Sequence, residues 1–146
     1  IVGANYSGVM FDAEEIVGSA SVMVPAFHGA FAACKAANLS VGVTVSHSAP
    51  YQTDTPADAV ALIKAWAADA SIDILSPQLY SSGSEAAPEF AETASCKDAG
   101  CTWALYTGSK AAFAPSIVDA TQLDAVEAYF KPMGIATVGY FQWAQK

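Results

Sequence analysis

Basic charge is scarce in this chain. Of 146 residues only 14% are charged, with six Lys and Arg together against fourteen Asp and Glu, for a formal net charge of −8. No Lys/Arg cluster is present to follow a phosphate backbone, which argues against nucleic acid and anionic membranes as partners. Long apolar runs are missing too: Asp, Lys, Ser or Gly interrupts each stretch before the roughly 18 residues that a membrane span requires. No Gly-rich loop opens a helix, and Ser46 and Ser48 lack the Gly-x-Ser-x-Gly elbow, so the marks of a nucleotide-binding protein and of a serine hydrolase are both absent. The cysteines have no second pair and no neighbouring His; neither a metal nor a cofactor is expected. What remains is a chain 53% hydrophobic, with mean hydropathy +0.33, able to bury one sizeable core and suited to a neutral ligand. We read residues 1–146 as one domain or part of one.

Cys96-Lys97-Asp98-Ala99-Gly100-Cys101 closes a short loop tipped by Gly, the spacing of a local disulfide between Cys96 and Cys101, with Cys34 left over in a helical stretch. Asn5 before Tyr6-Ser7 and Asn38 before Leu39-Ser40 both fall in the Asn-x-Ser/Thr acceptor pattern for glycosylation. These features together predict a secreted or extracellular protein. The chain opens on Ile1 rather than Met, which reads as a processed or truncated product.

Strand-like and helix-like stretches alternate. Strands are expected at Gly8 to Asp12, Ser40 to Ser46, Ile72 to Leu79, Thr102 to Tyr106 and Ile135 to Trp143. Helices are expected at Ser21 to Asn38, Pro56 to Ala68, Ala86 to Ala99 and Asp119 to Met133. Thr55-Pro56-Ala57-Asp58 has the form of a cap followed by Pro in the first turn. Successive βα units of this kind predict an α/β fold with a parallel sheet covered by helices.

The first strand ends in acids. Side chains alternate along a strand, so Asp12 and Glu14 share one face while Val9, Phe11 and Ala13 point oppositely. Two carboxylates stacked on an interior face are costly unless paired or partly protonated, a cost usually tolerated for chemistry. The alternative is that the strand stops at Asp12 and Glu14-Glu15 open a solvated helix. Polar residues also gather at the ends of the other strands: His47 and Ser48, Gln78 and Tyr80, Tyr106 and Thr107, Gln142 and Trp143. That distribution favours part of a (β/α)₈ TIM barrel, whose sites form at the C-terminal ends of its strands, over an open doubly wound sheet. His47 is placed to touch a substrate. His28, beside Phe27 and Phe31, reads as a packing or surface residue, and Trp66 and Trp103 as core.

Five segments in order resemble glycoside hydrolase family 18, the chitinase family, in its compact class III form. Ser7-Gly8-Val9-Met10-Phe11-Asp12-Ala13-Glu14 lies on the family's Asp-Gly-x-Asp-x-Asp-x-Glu strand. Val43-Thr44-Val45 through Ala49-Pro50-Tyr51 is similar to the fifth barrel strand and its loop, and Ser76-Pro77-Gln78-Leu79-Tyr80 to the sixth-strand Gln-x-Tyr signature. Tyr106-Thr107-Gly108 with Ala111-Ala112 is similar to the seventh-strand segment, and Gly139-Tyr140-Phe141-Gln142-Trp143 to the eighth. The resemblance thus covers barrel strands four to eight. It implies substrate-assisted, retaining hydrolysis of chitin or an N-acetylglucosamine oligosaccharide. Glu14 would be the proton donor, Asp12 would hold the acetamide N–H, and Tyr80 would donate to the acetamide oxygen. Gln78 would line the sugar site and Trp143 would form its apolar floor.

Two departures from the family bear on this expectation. Ser7 and Met10 replace the first two acids of the motif, which removes the inner carboxylate that would share a proton with Asp12. The first three strands have no counterpart, so a further polypeptide or segment is expected to supply them; otherwise open edges and an exposed apolar interior would remain. Three classes therefore stay open: an active glycosidase, a chitinase-like carbohydrate-binding protein without turnover, and a structural subunit of an extracellular assembly.

Overall fold

The computed structural model describes residues 5–143. Its core is a curled, all-parallel sheet. The strands are β1 (Gly8–Asp12), β2 (Ser40–Ser46), β3 (Ile74–Gln78), β4 (Ala112–Phe113), β5 (Ser116–Ile117) and β6 (Phe141–Gln142). They are joined by helices α1 (Ala20–Ala36), α2 (Pro56–Ala68), α3 (Ala94–Asp98) and α4 (Leu123–Phe130). β4 and β5 are two halves of one strand: Ile74 pairs Ala112, Leu75 pairs Phe113 and Gln78 pairs Ser116, a constant offset across the interruption at Ala114 and Pro115. Counted so, five strands lie side by side in chain order. A doubly wound sheet reverses its order at a switch point; this one does not, and its curl makes it a half-barrel.

Local chemistry sets the first three βα units. Ser40–Ser46 alternates Val41, Val43 and Val45 against the helices with Gly42, Thr44 and Ser46 on the other face. Phe31 of α1 is fully buried and meets Phe11 edge-on, with ring centroids 5.0 Å apart. Helix α1 ends where Asn38 takes φ 57°, letting the Leu39 N–H reach the Cys34 carbonyl (3.0 Å) and the Asn38 N–H the Lys35 carbonyl (2.9 Å). Helix α2 begins with a reciprocal cap between Thr55 and Asp58 and Pro56 in its first turn. Asp58 also accepts the Ala20 N–H (2.7 Å), tying the starts of α1 and α2 together, and these bonds hold its carboxyl below the ordinary range. Cys96 and Cys101 are disulfide-bonded across a turn in which Gly100 adopts φ 70°, and Cys34 is free.

The expected strand at Thr102 to Tyr106 is instead a 3₁₀ turn at Trp103–Tyr106. Trp103 and Tyr106 are buried with Phe113 and Phe130 in an aromatic cluster, and Tyr106 donates to the Ser48 carbonyl (3.2 Å) rather than standing at a strand end. The strand of this unit is 112–117, where Ala, Phe and Pro115 give little strand signal. The helix expected over Ala86 to Ala99 shrinks to α3, since Pro88 and the bonds anchoring 81–90 hold an irregular path. The last strand is also shorter, with Gly139 at φ 149° between an isolated bridge at Thr137 and β6.

The concave face departs from the expected apolar interior. Register and alternation place polar Asp12, Thr44, Ser46, Ser76, Gln78 and Ser116 on it together with Met10, Gly42, Ile74, Ala112 and Phe141. Ser76 and Ser116 bond to each other (2.8 Å), so hydroxyls and one amide share the face with a few apolar side chains. Exposed apolar side chains also lie along the edge strands: Tyr6 and Met10 beside one, Val138, Tyr140, Phe141 and Trp143 beside the other.

Candidate active site

Asp12 ends β1 and faces the concavity. The chain bends at Glu14: Ala13 still donates to the Thr44 carbonyl (2.9 Å), and the Glu14 carbonyl accepts from Tyr51 (3.1 Å) and Gln52 (3.4 Å). The register with the segment after β2 shifts there, from Asp12 opposite Thr44 to Glu15 opposite Gln52, so the two-residue repeat of β1 does not continue to Glu14, yet both carboxylates meet the same Gln78 amide. Ala13 and Ile16 are buried on the helix side, so Glu14 does not open a solvated helix.

Gln78, at the end of β3, joins the acids. Its amide nitrogen donates to Asp12 Oδ1 (3.2 Å) and, in a short contact, to Glu14 Oε1. Two ionised carboxylates only accept hydrogen bonds, so the NH₂ end of the amide must face them. Asp12 is held above the ordinary carboxylate range, first by desolvation, then by the Glu14 charge and a hydrogen bond to Glu14, with Gln78 opposing. A proton on Asp12 is thereby favoured, with Glu14 beside it as the hydrogen-bond acceptor.

Tyr80 follows two residues after Gln78, on the same face and nearly buried. Burial, then Glu14, Asp12 and Glu85, push its phenol up to about 12, so it remains an O–H donor at physiological pH. The Trp143 ring lies 5.7 Å from the Tyr80 ring at 32°, carried there by β6. Gly83 makes this contact possible: it holds φ 79°, and a Cβ there would overlap the Trp143 indole nitrogen. Nothing in the sequence singled out Gly83; only the fold brings residues 83 and 143 together.

The other expected site residues lie elsewhere. His47 adopts φ 43° at the end of β2, and its Nε2 pairs with Glu89 Oε2 (3.2 Å), which also accepts the Ser81 hydroxyl (2.5 Å). It lines a separate cleft of about 600 Å³ with Tyr51, Ser81, Glu89, Phe90 and Thr93, and touches the carboxylate site only through its N–H on the Gln78 carbonyl (3.0 Å). Asn5 and Asn38 are exposed, and both take left-handed φ, a conformation Asn tolerates better than most residues. Among the described residues no group of three or more His, Cys, Asp or Glu is placed to hold a metal, and no helix is long and apolar enough to cross a membrane.

In chemical terms the arrangement offers two carboxyl groups bridged by one amide, a phenolic donor and an exposed indole face at the C-terminal ends of parallel strands. Comparison with models of known protein families, with curated proteins and with solved structures found no match for this chain.

Proposed function

We propose that the chain is a chitinase-like glycoside hydrolase of family 18 type, acting on β-1,4-linked N-acetylglucosamine polymers by substrate-assisted, retaining hydrolysis. The observation that carries this reading is the grouping of Asp12, Glu14 and Gln78 through one amide, with Tyr80 and Trp143 beside them. Glu14 protonates the glycosidic oxygen, and the acetamide carbonyl of the substrate attacks the anomeric carbon in place of an enzyme nucleophile. Asp12 accepts the acetamide N–H and stabilises the positive charge that develops on the cyclic intermediate. Tyr80 donates to the acetamide oxygen, Gln78 borders the sugar, and the Trp143 indole packs against its C–H face. A further polypeptide or segment pairs with β1 and β6 to close the barrel; the support is the unpaired parallel edges and the apolar side chains exposed beside them. The sequons and the disulfide support a secreted setting.

A second reading is favoured by one residue. Met10 lies on the concave face two positions before Asp12, its sulfur packed over Gly42, and a thioether can neither take nor give a proton. On this reading the protein binds the oligosaccharide without cleaving it.

Release of reducing ends from N-acetylglucosamine oligosaccharides separates the two. Glu14→Gln keeps the side-chain shape and removes the acid, so hydrolysis is expected to fall by about 10²-fold or more. Undiminished hydrolysis in the variant would remove Glu14 from the mechanism, and absence of hydrolysis in the natural chain with binding retained would establish the second reading.

A further inference from the structure

We propose that Gln78 is a positioning residue whose two amide hydrogens clamp Asp12 and Glu14 together, in the place where an inner acid could have organised them. The inference rests on the reading of Asp12 and Glu14 as the reacting pair. Gln78 is itself buried, and its neighbours across the sheet are Ser46 on β2 and Ser116 on β5, both small. Its side chain thus has room on the concave face and reaches Asp12 at the end of β1, two strands away, and Glu14 just beyond it.

Placement decides what this contact can do. Met10 occupies the position next inward from Asp12 on the same face, and its thioether offers no proton. Thr44, the cross-strand neighbour of Asp12, makes no hydrogen bond through its buried hydroxyl. The neutral donor that reaches both carboxylates is therefore the Gln78 amide. The remaining titratable groups around the pair are Tyr80 and Glu85 beyond β3, and Tyr51, which donates to Glu15. Among the described residues no lysine contributes to this field. With no cation beside them, the two acids repel unless a proton lies between them or donors face their oxygens. An amide that donates once to each supports the ionised forms and holds the carboxyl groups at one spacing.

Gln78→Met keeps the length of the side chain and removes both donors; Gln78→Glu keeps its shape and turns donors into acceptors. The measurement is the ¹³C carboxyl titration of Asp12 and Glu14 in the full chain, read beside thermal melts and oligosaccharide hydrolysis. Loss of the clamp is expected to move the Asp12 midpoint upward by about one pH unit in Gln78→Met and further in Gln78→Glu. The acidic limb of any hydrolysis profile should move in the same direction. An Asp12 midpoint unchanged in a folded Gln78→Met chain would overturn the proposal, because a side chain that only fills space would leave the titration where it was. Should Gln78→Met fail to fold, Gln78→Asn, which withdraws the amide without adding a charge, decides by the same titration. The titration does not depend on turnover: shifted midpoints in a chain that cleaves nothing would uphold the clamp and defeat the hydrolase reading.

Discussion

At Asp12 two influences oppose each other. Desolvation and the neighbouring Glu14 favour its neutral form, while Gln78 favours the ionised one, and the first pair prevails. The sign of the consequence follows from proton linkage. The folded state binds this proton more tightly than the unfolded chain, so Asp12 supports the fold at low pH, and that support is lost as pH rises from the ordinary carboxylate value through the raised one. Asp12→Asn removes the titration. The variant is therefore expected to melt higher than the natural chain at about pH 7 and to lose that advantage near pH 3. Asp12 is exposed, so added salt should narrow the difference. Paired melting curves at both pH values check this; a natural chain that is the more stable at neutral pH would contradict the balance of forces assigned to Asp12.

Among the elements, α2 has the most complete local code. Thr55, Pro56 and Asp58 supply the cap, the first turn and its reciprocal bond, and Ala59, Leu62, Ile63 and Trp66 bury one face. Thr55→Ala leaves an N-terminal N–H without its acceptor and is expected to destabilise the chain by about 1 kcal/mol. Denaturant unfolding should show this as a lower midpoint with an unchanged slope. The strand over 112–117 has no such code. It exists because Ala112 and Phe113 find Ile74 and Leu75, and Ser116 finds Gln78, partners distant in sequence. The run Trp103-Ala104-Leu105-Tyr106 looked more like a strand, yet short apolar runs have no period that separates strand from buried turn. Its rings were claimed by the aromatic cluster around Phe130.

On the scale of the molecule, the half-barrel has two different surfaces at risk. The concave face mixes hydroxyl, amide and carboxyl groups with Met10, Ile74 and Phe141, and the edge strands β1 and β6 present unpaired backbone beside Tyr6, Met10, Tyr140, Phe141 and Trp143. The isolated chain is expected to bind a hydrophobic dye or to self-associate, and Phe141→Lys with Trp143→Lys to weaken both. Sedimentation and dye fluorescence test this. A monodisperse monomer that melts cooperatively and ignores the dye would show that these edges need no cover.

By itself the sequence determined the alternation of strands and helices, β1, β2, most of β3, the whole of α2 and the local disulfide. Each is written in neighbouring residues: a two-residue repeat, a cap with its Pro, a loop of fixed length closed by Gly100. Tertiary structure alone decided that Gln78 donates to both acids, that Gly83 makes way for Trp143, that His47 turns toward Glu89, and that Ser76 meets Ser116 on the half-barrel's inner face. These pairings join residues that lie 40 or more positions apart and depend on the parallel register that sets one strand end beside the next. Periodicity tells which way a side chain points along its own strand; what it meets there is set by the neighbouring strand, whose register no local pattern encodes.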